Sequence, residues 1–580
     1  MSKILILSLT IFGISSLTLF FLSAPSILIG KKLEAFALRN VTVGVLISFV
    51  ALNLVGYSLA IQGISVRIAF QGIGLILFGS IGLLILSANW KFLRVVIPLV
   101  TGIVFAGWYS LLPIVSKLAS SNTLGAYSSQ NLDQISYIAI ANEFVRSGFQ
   151  ESGHIAPGGI NSFAQFGTPI SPTILMTFIM SVFQITAWEA VLPTIIVAFG
   201  FATLGLVRLI EVLFKDLTKK FLTLIAILIM STALISYCYI NYFLGQILAI
   251  GISSIILGNS IENATRIGDS KQRFLELFLV TILAVFVYPV FLMPFLVYSS
   301  IIGFLVSIFT SKAAFKQYFL SQNLAIVFGL IATIPYLFAA YKLVVYLVPI
   351  NAGYPIPTLN PVSMFVFIDQ IGRVFEKNGL LLSWLVLSGV IVFKMVKARK
   401  LYTDPFTAGL VLSSSVIIVI FVPIVRGDSF SDYQSWKLVS FFIPIILATV
   451  IPLFLPRKLG KISHKTLGVV VVMVLFLGYT HNLKFENSST YPTISMQEVA
   501  KSSVLKNVDE LNIDLAPGWE NMLMSIMLND QRIFPIAIDL WQTQPNSKAC
   551  TLVRNSDDRY VVQVQINTDY GIAFGTNAEC

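Results

Sequence analysis

Apolar runs of roughly 17 to 25 residues recur along most of the chain, broken by short polar stretches. That is the length a helix needs to cross a hydrocarbon layer about 30 Å thick, and helices of a soluble core would not repeat so regularly. The runs predict spans near 3–30, 41–63, 69–88, 95–116, 188–214, 221–240, 246–258, 275–290, 292–310, 319–347, 380–396, 405–425, 437–455 and 465–481, about fourteen in all. After 481 the pattern changes. The segment 482–580 is polar and mixed, with "SMQE" (495–498) spaced as a capping box and "CTLVR" and "YVVQVQI" patterned as strands. The fold class expected is an all-α polytopic membrane protein with a small extracytoplasmic α/β domain at the C-terminus.

Composition agrees, with 56% hydrophobic and 11% charged residues over 580 positions. The formal net charge of +11 could suggest nucleic acid, but the basic residues sit in short clusters between apolar runs. Lys31 and Lys32, Lys91 and Arg94, Lys215 to Lys220, Arg266 to Arg273, Lys312 to Lys316, Lys394 to Lys400 and Arg457 to Lys465 all fall on one side if the spans alternate. Basic loops of this kind set membrane orientation, so that side is assigned to the cytoplasm and nucleic acid is not a partner. The remaining connections then face outward, including 117–187, "YINYFLGQ", 348–379, "RGDSFSDYQSWK" and the whole tail, with both termini external.

This alternation requires "SPTILMTFIMSVFQI" (171–185) to be an interfacial helix, because a span there would move Lys215, Lys219 and Lys220 outside. The opening segment has a weakly basic start, but its apolar length fits a retained helix better than a cleaved signal. The chain thus divides into four N-terminal spans (1–116), a large external loop (117–187), a core of about ten spans (188–481) and the external tail (482–580). An integral inner-membrane protein with its working face outside is the expected placement. Cys550 and Cys580 lie in the tail and could pair in an oxidising compartment, whereas Cys238 ends an apolar run.

The external loop holds the candidate chemistry, since a connection of about 70 residues is long for a simple linker. In "YSSQNLDQISYIAIANEFVRSG" (127–148), Asp133 begins a predicted helix and Tyr137 follows one turn later on the same face. Ile135, Ile138 and Ala139 would rest on the membrane surface. A purely structural account is that Asp133 favours a helix N-terminus through the macrodipole. Glu143, Arg146, His154 and Asn161 follow in the same loop. Asp133, Glu143 and His154 could hold a divalent cation, although they show no recognised ligand spacing. No cofactor is otherwise assigned.

"NLDQISYIAIANEFVRSG", the following "FGTPISPTILMTFIMSVFQI" and the span opening "TAWEAVLPTI" together resemble the GT-C class of membrane glycosyltransferases, which use lipid-phosphate-linked sugars. The likeness covers about 117–214, and the class usually reaches this loop after one span where four precede it here. The resemblance implies a polyprenyl-phosphate-sugar donor, an external envelope glycan such as lipopolysaccharide or another lipid as acceptor, and Asp133 as the general base on the acceptor hydroxyl, oriented by Tyr137. It also implies a cation beside the leaving phosphate, for which Lys437, Arg426 and Tyr433 are placed, although Lys437 and Trp436 also suit ordinary interfacial anchors. Glu143, His154, Asn241, Gln246 and Asp369 are the acceptor- or sugar-binding candidates; Asn241 and Gln246 could instead only satisfy a turn, and Asp369 a solvated helix face.

Two other functions fit parts of the pattern. An envelope oligosaccharide polymerase or ligase would rely more on external arginines, of which Arg146, Arg373 and Arg426 precede the tail. A transporter or flippase would bury charges along a path, whereas the span interiors are expected to carry almost no ionisable residues, Arg208 and Glu211 lying near a cytoplasmic end. No Walker A loop or dinucleotide fingerprint is present, which favours a lipid-linked donor over a soluble nucleotide sugar.

Overall fold

A computed structural model of the protein describes residues 2–26, 38–86, 90–111, 127–128, 133–148, 170–214, 219–231, 242–265, 270–310 and 312–336, isolated residues near 238 and 445, and parts of 489–576. The expected spans at 380–396, 405–425 and 465–481, and nearly all of 437–455, lie outside the described residues.

The described helices are α1 (Ser2–Ser23), α2 (Leu38–Ile61), α3 (Arg67–Leu86), α4 (Trp90–Ser110), α5 (Asp133–Arg146), α6 (Ile170–Phe183), α7 (Ala187–Leu213), α8 (Lys219–Met230), α9 (Leu244–Thr265), α10 (Ser270–Val287), α11 (Pro289–Thr310), α12 (Lys312–Tyr318) and α13 (Leu324–Ala332). Among the described residues four helices, α1, α2, α7 and α9, are long and apolar enough to cross a membrane by length and composition. The protein is a helical integral membrane protein.

At the centre, α7 and α9 are wholly buried and pack on each other. Two glycines allow their close approach. A Cβ on Gly205 would lie 2.5 Å from the Gly251 carbonyl oxygen, and one on Gly251 would lie 2.9 Å from the Phe201 ring. Between helices in lipid, packing replaces the hydrophobic drive, so small residues at a crossing hold backbones together. Around this pair, α1, α4 and α6 pack on α7, α11 packs on α9, and α10 joins α2, α9 and α13. The outer helices leave large apolar side chains exposed, Ile68, Leu75, Ile76 and Phe78 on α3 and Val327, Phe328 and Ile331 on α13. A helix surface of this kind belongs against acyl chains rather than water.

α12 and α13 are joined through a π-helical turn, Phe319–Asn323. Its Gln322 side chain accepts from Asn263 Nδ2 (2.8 Å) and donates to Ser260 Oγ (2.9 Å), both on α9. These bonds fasten the widened turn to the central helix.

Charge is buried where the sequence led us to expect almost none. Arg39 of α2, Arg208 and Glu211 of α7, Glu262 of α9, and Arg273 and Glu276 of α10 meet where four helix ends converge, with all but Glu211 buried. Arg208 reaches Glu262 at 2.5 Å, Glu276 at 3.2 Å and Glu211 at 3.4 Å. Arg39 pairs with Glu262 and lies 3.4 Å from Glu276, and Arg273 donates to the Glu262 carbonyl at 3.1 Å. The expectation fails because Arg39, Glu262 and Glu276 each sit near the end of a span, where charge reads as solvated, and only the tertiary fold removes the water.

In the tail, a five-stranded sheet has the order β4-β3-β5-β6-β7, from β3 (Glu510–Asp514), β4 (Arg532–Pro535), β5 (Cys550–Arg554), β6 (Tyr560–Thr568) and β7 (Gly571–Thr576). β3 pairs in parallel with β4 and β5, and the other pairs are antiparallel. Leu511, Ile513 and Leu552 are buried along it. Cys550 is disulfide-bonded and Cys238 is a buried thiol, while Cys580 lies outside the described residues.

Candidate functional site

The candidate site is built on α5, which begins at Asp133, as the sequence predicts. A short antiparallel pair precedes it: β1 (Tyr127–Ser128) pairs with β2 (Ser489–Thr490), Tyr127 opposite Thr490. Backbone pairing therefore holds the approach to α5 and the start of the tail at one place.

The far end of α5 docks on the turn between α2 and α3. Val66 N–H donates to the Phe144 carbonyl (2.9 Å), and Ser65 Oγ donates to the Val145 carbonyl (2.5 Å). The turn itself is closed by Ile64 N–H to Leu59 O and Gly63 N–H to Ala60 O, both 3.0 Å, with Gly63 at φ +68°. This is the paired-bond helix ending that calls for a left-handed residue, normally glycine. Gly148 ends α5 at φ +71°, and a Cβ there would stand 2.8 Å from both Ala60 O and Ile64 N. Backbone meets backbone at this contact, so both the conformation and the space require glycine.

Underneath α5 lies α6, with Ser171 to Ser181 buried throughout. Its 14 residues span about 21 Å, too short for a 30 Å hydrocarbon layer. Gln71 of α3 donates to the Ser181 carbonyl (3.2 Å), and a Cβ on Gly56 of α2 would lie 3.4 Å from Ile174. The helix thus runs beneath α5 near the ends of α2 and α3. Next, α7 opens with a capping box in which Thr186 Oγ1 accepts from Glu189 N–H (3.3 Å) and Glu189 Oε2 accepts from Thr186 N–H (3.0 Å). Glu189 is occupied by capping.

Of the predicted site residues, Tyr137 and Glu143 are on α5 and both are buried. The helix does not lie open on a membrane surface: Ile138, Ala139, Ile140, Ala141 and Phe144 are all covered, because α6 and α7 pack against it. Glu143 Oε2 accepts from Ser147 Oγ (3.4 Å), and its carbonyl accepts from the N–H groups of Ser147 and Gly148, each at 2.9 Å. Ten residues of helix separate Glu143 from Asp133, about 15 Å along the axis. Among the described residues no group of three metal-ligating side chains occurs.

Gln246 is buried in the first turn of α9. The turn before it ends on Tyr242 at φ +57°, with Phe243 N–H to Cys238 O (2.9 Å) and Tyr242 N–H to Tyr239 O (3.3 Å). An aromatic residue in the left-handed region is sterically unfavourable and must be held by its surroundings. Tyr239 assists by donating its hydroxyl to the Gly107 carbonyl of α4 (2.5 Å). His154, Asn241, Asp369, Arg426, Tyr433 and Lys437 lie outside the described residues.

Sequence reasoning did not find Gly63 or Gly148, the residues that seat α5. The only signal was a glycine soon after each predicted helix, which many positions share.

No protein-family profile matches the chain, and no curated protein does. Among solved structures it is similar to the crystal structure of ArnT from Cupriavidus metallidurans in the apo state, at 13% identity and a TM-score of 0.46, over 77% of this chain and 93% of that one. At that identity no correspondence of individual residues follows.

Proposed function

We propose that the protein is a membrane glycosyltransferase of the GT-C kind, moving a sugar from a polyprenyl-phosphate donor to an external envelope glycan or lipid. One observation carries this reading: an aspartate opens a helix that is clamped at its other end, over a buried short helix, at one end of a membrane-embedded bundle. A base must be fixed relative to its acceptor, and a seated helix supplies that fixity.

In the reaction the acceptor oxygen forms a bond to the anomeric carbon and its proton passes to the Asp133 carboxylate. The bond from that carbon to the phosphate oxygen breaks, and polyprenyl phosphate leaves with the electron pair. Tyr137 orients Asp133, and Glu143, His154, Asn241, Gln246 and Asp369 are the candidates for contacts to sugar or acceptor. Lys437, Arg426 and Tyr433 would balance the charge on the departing phosphate. The working face is external in this scheme, in keeping with the disulfide at Cys550 in a tail whose start pairs with the approach to α5.

The test is release of polyprenyl phosphate by the purified full-length protein in vesicles, supplied with polyprenyl-phosphate sugars and a glycolipid extract. Loss of a general base costs about 100-fold or more in rate, so Asp133→Asn is expected to fall by that factor while eluting and melting like wild type. Full activity in Asp133→Asn would remove Asp133 from the mechanism.

A further inference from the structure

The buried charges at the end of the bundle away from α5 are not explained by sugar transfer. Along α2, Ala60 touches Gly148 at the end of α5, whereas Arg39 lies 21 residues away, about 31 Å along the helix. We infer that Arg39, Arg208, Arg273, Glu211, Glu262 and Glu276 form a charge-balanced lock that fixes the register of α2, α7, α9 and α10.

Three features support a lock rather than independent pairs. First, the carboxylates are shared: Glu262 serves Arg39 and Arg208 through its side chain and Arg273 through its carbonyl, and Glu276 serves both Arg39 and Arg208. Neither Arg39 nor Arg208 can move without disturbing a carboxylate that the other uses. Second, the three arginines and three glutamates cancel, which a cluster removed from water requires. Third, the linked residues are far apart in sequence, Arg39 and Glu262 by 223 positions, so the contact specifies which helix ends meet.

The lock also extends sideways. Asn263, next to Glu262, donates to Gln322 of the π-helical turn and accepts from Ser321 at 3.3 Å. Apolar helices in lipid can slide past one another at little cost, and a buried polar key is a known way to choose one register.

The defining property is balance, and it is tested by thermal melting of the full-length protein in detergent. Glu276→Gln leaves the cluster one positive charge in excess, and Arg39→Gln leaves it one negative. Each is expected to lower the melting temperature by about 3–4 °C. The double variant restores neutrality and is expected to regain at least half of that loss, whereas Glu262→Gln with Glu276→Gln, in double excess, melts lowest. Glu211→Gln, which removes the partly exposed member, is expected to shift melting least. Additive losses in the Arg39→Gln/Glu276→Gln double variant would overturn the lock, as would single variants that melt like wild type. Should Glu276→Gln fail to accumulate in the membrane, recovery of expression in the neutral double variant becomes the same test, and no recovery counts against it.

Discussion

Gly148 shows how much a single residue decides at this site. Its left-handed conformation and the 2.8 Å that separates an added Cβ from the backbone of the α2–α3 turn leave no room for a side chain. Gly148→Val is expected to cost about 1–3 kcal/mol of stability and to lift the end of α5 from its seat. Transfer activity should fall more than the melting temperature suggests, because α5 carries the proposed base; equal behaviour to wild type in both assays would show that the docking contact is dispensable. The sequence made Asp133 visible through the scarcity of charge in an apolar chain, and Tyr137 through its place one turn later on the same face. It could not reveal that Tyr137 is buried, since the helices that cover it come from other parts of the chain.

Helices were the most legible elements. Long apolar runs predict α2, α3, α7 and α11 to within a few residues, because lipid length and hydropathy together leave little freedom. The π-helical turn at Phe319–Asn323, at the start of the predicted 319–347 span, was not legible, since it depends on bonds from Gln322 to α9. Nor was the α7–α9 crossing, which turns on two glycines 46 positions apart in the sequence. Gly205→Val should clash with the Gly251 backbone and destabilise the protein by about 1–3 kcal/mol, read as a lower melting temperature. Unchanged melting would mean that the crossing opens without penalty. Thr186→Ala removes the cap of α7 and is expected to cost about 1 kcal/mol on the same measurement.

For the whole molecule, basic clusters and alternating spans predicted which helix ends share a side. The start of α2, the ends of α7 and α9 and the start of α10 do meet, in the charge cluster, and the tail pairs with the approach to α5. Sidedness itself is expected from the basic loops. Cysteines introduced one at a time at Ser489 and Tyr127, in a background with Cys238, Cys550 and Cys580 replaced by serine, should react with an impermeant maleimide in intact cells, while one at Lys215 should react only after lysis. The reverse pattern would invert the topology and place α5 inside.

The most direct test of sugar transfer is a mass profile of envelope glycans from a deletion strain, complemented in parallel with wild type and with Asp133→Asn. One sugar mass should vanish on deletion, return with wild type and stay absent with Asp133→Asn although that variant reaches the membrane. An unchanged profile in every strain would contradict glycosyl transfer.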